Sequence, residues 1–293
     1  MTFRERDITA ADGRNLRVLE AGEPDGIPLL IHGGTPNSRL LYRAWIEDAN
    51  ASGLRLISYD RPGYGGSTPR PNRTVADCAQ DVAAIARALG VNRLLIWGIS
   101  GGAPHALACA ALLPDLVVAA AALASPAPYP ADGLDFFAGM GESNVREIKE
   151  TLKGREFCAR SAEILAAQLL AADPQSFVKA FSSLLCQTDL AAFSTEFGEF
   201  VLRKIRAGIE KTRDGWVDDD LAFLKPWGFD FSQIRVPVLL VHGGQDRMVP
   251  ISHATWLAAR IPNVEARLLP DDGHLTLSTR RIPEVHAWLL GKR

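Results

Sequence analysis

The chain has 293 residues, of which 47% are hydrophobic, and a formal net charge of -2 at pH 7. That length suits one large domain, or one domain carrying an insertion, with a sizeable core. A charge so near zero sets up no field that would gather nucleic acid or an anionic membrane, so neither is an expected partner.

The opening Met1-Thr2-Phe3-Arg4-Glu5-Arg6-Asp7 is charged and has no apolar stretch of the kind a secretory signal needs. The most apolar region, 106–124, is broken by Pro114-Asp115 and reads as a buried helix and a buried strand. Cys78, Cys109, Cys158 and Cys186 lie far apart with no C-x-x-C, as expected of reduced thiols in a cytoplasmic protein.

In chain order, 3–8 and 15–20 predict two antiparallel strands joined by a turn at Asp12-Gly13. The apolar run 27–31 predicts a buried strand ending in His32-Gly33-Gly34-Thr35-Pro36. Asn37 or Ser38 is placed to cap a following helix that carries Leu40, Leu41, Trp45 and Ile46. Residues 54–59 predict the next strand, which runs into the turn-rich Asp60-Arg61-Pro62-Gly63-Tyr64-Gly65-Gly66-Ser67, where Asp60 and Arg61 are expected to tie down their own turn. Val75, Val82, Ile85 and Leu89 have helical spacing, with Gly90 as a stop.

Leu94-Leu95-Ile96 then leads into Trp97-Gly98-Ile99-Ser100-Gly101-Gly102, followed by a small-residue stretch with Pro104 in its first turn. That reads as strand, sharp turn, helix, with the G-x-S-x-G pattern at Gly98, Ser100 and Gly102. Glycines two residues either side remove side chains that would clash, and the turn lifts the serine hydroxyl above the sheet edge. The helix that follows aims backbone N–H groups at the same spot.

A helix to about Leu113 and a strand over 116–123 continue the alternation, which argues for a mostly parallel, eight-stranded sheet with helices on both faces. The alternation stops at Ser125-Pro126-Ala127-Pro128-Tyr129-Pro130. From there to about Trp227 the pattern is helical, over 145–152, 162–171, 175–185 and 196–209. Residues 126–227 are therefore expected to form a helical cap inserted into a core built from 1–125 and 228–293. Strands over 236–241 and 264–269 and helices over 252–260 and 282–290 complete the chain.

An acyl-transfer serine needs a base and an acid that orients it. Asp246 lies just past one strand end, in Gly243-Gly244-Gln245-Asp246, and His274 just past the next, in Asp272-Gly273-His274. In a parallel sheet both loops emerge at the edge where Ser100 sits. The catalytic triad expected is Ser100, His274 and Asp246, with Asp271 or Asp272 as the alternative partner of the histidine. The N–H groups of Gly101 and Gly34 (Thr35 next) are expected to form the oxyanion hole. His32 is expected to brace its loop through a hydrogen bond, His105 to be packed or capping, His242 to be structural, and His253 and His286 to lie on helix surfaces. No metal-ligand spacing and no phosphate-binding glycine loop is present, so no metal and no cofactor is expected.

These motifs resemble the α/β-hydrolase superfamily over nearly all of both core segments. The His32-Gly33-Gly34-Thr35-Pro36 start is also similar to proline iminopeptidases, which usually read His-Gly-Gly-Pro-Gly and Gly-Gly-Ser-Trp-Gly; this chain departs from both. The resemblance implies hydrolysis of a small ester or related acyl substrate through an acyl-enzyme. The alternatives are an iminopeptidase-like aminopeptidase, a C–C bond hydrolase or perhydrolase on the same triad, or a non-catalytic ligand receptor. An aminopeptidase would hold its substrate's ammonium with cap carboxylates, and Glu196 and Glu199 are the nearest candidates. The spacing of Phe193, Phe197 and Phe200 instead suggests one amphipathic helix with the glutamates in water, and a preference for neutral, apolar acyl groups.

Overall fold

The computed structural model describes residues 3–293. The first half alternates strands and helices: β1 (Arg4–Thr9), β2 (Asn15–Gly22), β3 (Ile27–His32), α1 (Arg43–Ala51), β4 (Leu54–Tyr59), α2 (Cys78–Ala88), β5 (Leu94–Ile99), α3 (Ala103–Leu112) and β6 (Val117–Leu123). Six helices follow: α4 (Glu142–Thr151), α5 (Arg155–Ala171), α6 (Pro174–Phe181), α7 (Gln187–Phe193), α8 (Glu196–Ile209) and α9 (Asp214–Phe223). The chain ends with β7 (Val238–Gly243), α10 (Ile251–Ala258), β8 (Val264–Leu269), α11 (Thr276–Arg280) and α12 (Ile282–Leu290).

All eight strands join one sheet in the order β1-β2-β4-β3-β5-β6-β7-β8. β2 alone runs opposite to the other seven strands. The chain steps from β3 outward to β4 on one side and returns to β5 on the other. At such a reversal the loops leaving the carboxyl ends of the two strands diverge and open a crevice.

Alternation along the strands explains the two-sided core. In β6, Ala120 and Ala122 face a cluster with α2, α3 and α10. Ala119, Ala121 and Leu123 face the opposite cluster, with α1 and α12. The α5, α6, α8 and α9 side chains pack into a third cluster of their own, which takes in Tyr64.

Two local expectations are corrected. The helix after β3 begins at Arg43 with Tyr42 as N-cap and no side-chain cap bond, not at Asn37 or Ser38. Residues of this loop line a cavity instead, and Ser38 N–H donates to the Lys204 carbonyl at 3.1 Å. The stretch 192–200 is two helices rather than one: α7 ends at Phe193, and the Thr195 hydroxyl accepts the Phe197 N–H at 3.2 Å to open α8. The helices α7, α9 and α11 lie outside the helical stretches expected from spacing; in α9, Asp218 and Asp219 are buried because arginines meet them.

Candidate active site

Ser100 follows β5 directly and holds φ at 53°, a left-handed conformation rare for a side-chain-bearing residue. Such backbone is tolerated where the surroundings over-determine it. Here α3 begins three residues later, and the turn runs so close to the end of β3 that a Cβ at Gly102 would lie 2.1 Å from the His32 carbonyl oxygen. Only glycine permits that approach.

Asp246 and His274 leave the carboxyl ends of β7 and β8. The Asp246 Oδ2 lies 2.7 Å from His274 Nδ1. Its Oδ1 accepts the Met248 and Val249 N–H groups, both at 2.8 Å, so the carboxylate is fixed before it meets the imidazole. Burial lowers the His274 pKa, but the Asp246 charge and hydrogen bond, with help from Asp189, outweigh it and leave the ring above the ordinary imidazole value. Neither alternative acid replaces Asp246: Asp271 is exposed, and Asp272 pairs with Arg281 at 2.8 Å.

Two buried acids contributed by the helical segment had no signal in the sequence. Asp189 on α7 accepts three successive backbone N–H groups, from His274 at 2.8 Å, Leu275 at 2.8 Å and Thr276 at 2.9 Å. It therefore caps α11 and holds the His274 loop from above. The loop comes close enough that a Cβ at Gly273 would sit 2.2 Å from Asp189 Oδ2.

Asp219 on α9 lies fully buried among Arg61, Arg73, Tyr64 and Thr35, with hydrogen bonds of 2.6 Å from Arg61 Nη2, 2.6 Å from Arg73, 2.9 Å from Tyr64 and 2.9 Å from Thr35. Burial alone would raise its pKa; the Arg61 and Arg73 charges reverse this and hold it far below the usual carboxylate range. Arg61 also donates to the carbonyls of Gly33 at 2.5 Å and Gly34 at 3.1 Å. Asp60 does tie down its own turn, accepting the Gly66 N–H at 2.9 Å, but Arg61 leaves that turn for the glycine loop, which corrects half of the expectation. In a trans peptide the C=O and the next N–H point in opposite directions. Holding the Gly33 carbonyl therefore turns the Gly34 N–H away from Arg61. Gly34 borders the elbow, where a Cβ on it would lie 3.3 Å from Ser100 Cβ.

Gly34, Ser100 and His274 line one cavity of about 110 Å³. Its other walls are mostly apolar and come largely from the helical segment, including Phe177, Phe181, Phe193, Phe197 and Phe200. The three aromatics expected to pack in one helix face thus belong to two helices and face this space. Glu196 and Glu199 do not: both are exposed, and Glu196 accepts a hydrogen bond from the Tyr42 hydroxyl at 3.0 Å.

The remaining histidines divide. His105 is packed, with Nδ1 2.8 Å from the Gly101 carbonyl, and burial with the Arg61 charge pushes its pKa down to about 3. His242 is structural, with Nε2 2.8 Å from the Val249 carbonyl. His32 braces no loop by hydrogen bonding: its Nδ1 has no partner, its Nε2 lies 3.8 Å from Cys109 Sγ, and the ring stacks on His105. His253 and His286 are buried rather than on the surface. His253 accepts the Ala127 N–H and donates to the Phe136 carbonyl; His286 accepts from Trp97 and donates to Asp48 at 2.6 Å. Helical spacing could not show these partners, which are 126 and 117 residues away for His253 and 189 and 238 for His286. All four cysteines are free thiols, and no helix among the described residues is long and apolar enough to cross a membrane.

Known proteins are similar to this chain at low identity. The chain is 26% identical over 281 residues to a proline iminopeptidase of Neisseria meningitidis serogroup B (strain ATCC BAA-335 / MC58), covering 85% of this chain and 84% of that one. It is 27% identical over 290 residues to a poly(3-hydroxyalkanoate) depolymerase of Ectopseudomonas oleovorans, covering 92% and 86%. A solved structure of a thermophilic esterase from Thermogutta terrifontis superposes with a TM-score of 0.70 at 20% identity, over 98% of each chain. The family described as alpha/beta hydrolase fold matches residues 27–280, which span both the strands that carry Ser100 and Asp246 and the loop that carries His274. The chain therefore belongs to the α/β-hydrolase family and is a hydrolase of that superfamily.

Proposed function

We propose that this hydrolase cleaves a small ester or related acyl substrate through a Ser100-His274-Asp246 triad. The observation that carries the reading is His274: Asp246 lies 2.7 Å from its Nδ1, and its ring lines the same cavity as Ser100. His274 takes the Ser100 proton as the hydroxyl attacks the carbonyl, then gives it to the leaving group. Asp246 fixes the tautomer and stabilises the imidazolium. The Gly34 and Gly101 N–H groups receive the oxyanion. Water activated by His274 then releases the acyl group. In this reading residues 126–227 are a cap that supplies the apolar wall and excludes bulk water.

The iminopeptidase relatives supply the competing reading. It needs a carboxylate to hold the substrate ammonium, and no Asp or Glu is among the residues that line the cavity. The ester reading is therefore preferred.

The test has two parts. A fluorophosphonate probe should label wild type at Ser100 and leave Ser100→Ala unlabelled. Turnover should then be compared across p-nitrophenyl esters of increasing chain length and aminoacyl-naphthylamides. Clear preference for a prolyl-naphthylamide over every ester would overturn the esterase assignment. Absence of labelling would overturn the serine mechanism.

A further inference from the structure

Lys204 on α8 is the one Lys or Arg among the residues lining the Ser100 cavity, and the residue is 4% exposed. Among the described residues no carboxylate lies within ion-pair distance of its Nζ, and no hydrogen bond from that amine is made. Its immediate neighbours are aromatic: Nζ sits 5.3 Å from the Trp45 ring centre and 5.7 Å from that of Phe200. These faces attract a cation, but they do not satisfy three N–H donors. The amine is beside the glycine loop, since a Cβ at Gly33 would lie 3.2 Å from Nζ. The next residue, Gly34, borders Ser100. Consecutive Cα atoms are only about 3.8 Å apart, and Lys204 and the elbow serine both line the same cavity.

A buried charge without a partner is costly, and burial with the Arg61 charge brings the Lys204 amine down to about 7. An aliphatic side chain would fill the same aromatic niche without that cost. What an amine adds is a counter-ion for something that enters the cavity. We propose that the substrate carries a carboxylate that pairs with Lys204 while its ester carbonyl meets Ser100. This rests on the serine-hydrolase reading above and names its substrate class: half-esters or other acyl compounds bearing one carboxylate. One ammonium without an arginine fork matches a monoanion better than a phosphate dianion. The inference also revises the expected preference for neutral acyl groups, because the apolar walls end at a cation.

The experiment compares kcat/KM for the monomethyl esters of succinic, glutaric and adipic acids with that for methyl butanoate, pentanoate and hexanoate, their neutral counterparts of equal length. In wild type at least one half-ester should exceed its neutral counterpart tenfold or more. In Lys204→Met, with fluorophosphonate labelling of Ser100 retained as evidence of an assembled site, that ratio should fall at least tenfold. A measurement on wild type alone stands beside it: pentanoate should inhibit methyl butanoate turnover at concentrations tenfold or more below those needed for pentanamide. Neutral esters matching or exceeding all three half-esters in wild type would overturn the inference, as would a half-ester preference unchanged in labelled Lys204→Met. In either case, intact labelling would leave the serine-hydrolase reading standing; loss of labelling in wild type would remove both.

Discussion

The Asp189 carboxylate accepts the backbone N–H of His274 at 2.8 Å, across 85 residues of sequence. A helix of the segment between β6 and β7 thereby holds the loop that carries the proposed base, and the same carboxylate takes the next two N–H groups. Asp189→Ala would leave three backbone donors, two of them buried, without an acceptor. At about 1 kcal/mol or more for each, the expected loss is about 3 kcal/mol, or a fall of roughly 6–10 °C in Tm. Catalysis should fall further than folding, because the His274 loop loses its position. Thermal unfolding and kcat measured on the same preparation check this; unchanged kcat would show that the loop is held without Asp189.

Arg61 and Asp219 are expected to act on the oxyanion rather than on substrate binding. Arg61→Ala frees the Gly33 and Gly34 carbonyls and with them the orientation of the Gly34 N–H. Loss of one oxyanion donor typically costs about 10²–10³ in kcat. The expected result is a fall of that order with KM changed little, measured on a neutral ester that does not engage Lys204. A rise in KM at constant kcat would place Arg61 in ground-state binding instead.

Ser100→Ala should lose nearly all turnover, and adding His274→Ala should cost little more, because triad members act as a unit. Falls of order 10³–10⁶ in kcat are expected. A single mutant that keeps most of its activity on a good ester would refute the mechanism.

The pH profile has a definite sign. Only the neutral His274 ring is a base, and its pKa is raised in the folded protein. Activity should therefore be lost as pH falls through a value above the ordinary imidazole range, about 6.5. In Asp246→Asn the Asp246 charge that raises the pKa is gone and burial remains, so the acid limb should move to lower pH. At the same time kcat should drop by about 10³–10⁴, through loss of the orienting carboxylate. The check is kcat/KM from pH 5 to 9 on a neutral, non-titrating ester, in both enzymes.

Glu196→Gln with Glu199→Gln should leave ester turnover within about twofold, since both side chains are exposed and neither lines the cavity. A large loss confined to a prolyl-naphthylamide would reopen the iminopeptidase reading.

The core of this protein is legible in its sequence because it is built from local rules. Period-two alternation and continuous apolar runs mark the strands, and G-x-S-x-G between an apolar run and a small-residue helix marks the elbow at Ser100. Strand ends locate Asp246 and His274, since a parallel sheet brings its carboxyl ends to one edge. What the chain order could not tell was which partners the helices between β6 and β7 would supply. Asp189, Lys204 and Asp219 look like ordinary polar positions of amphipathic or acidic helices. His253 and His286 look like surface residues for the same reason. Each is defined by a contact 85 or more residues away, as Asp189 is by His274, Asp219 by Arg61 and Lys204 by Trp45. Burial of a charge is a property of the packed whole: the same lysine is a solvated ornament on an isolated helix and an unpaired buried amine once α8 closes over the glycine loop. The sequence determined the sheet, the elbow and the three residues proposed for the chemistry. Only the tertiary structure decided how that chemistry is held and what charge it faces, because both depend on desolvation and long-range pairing that no local pattern encodes.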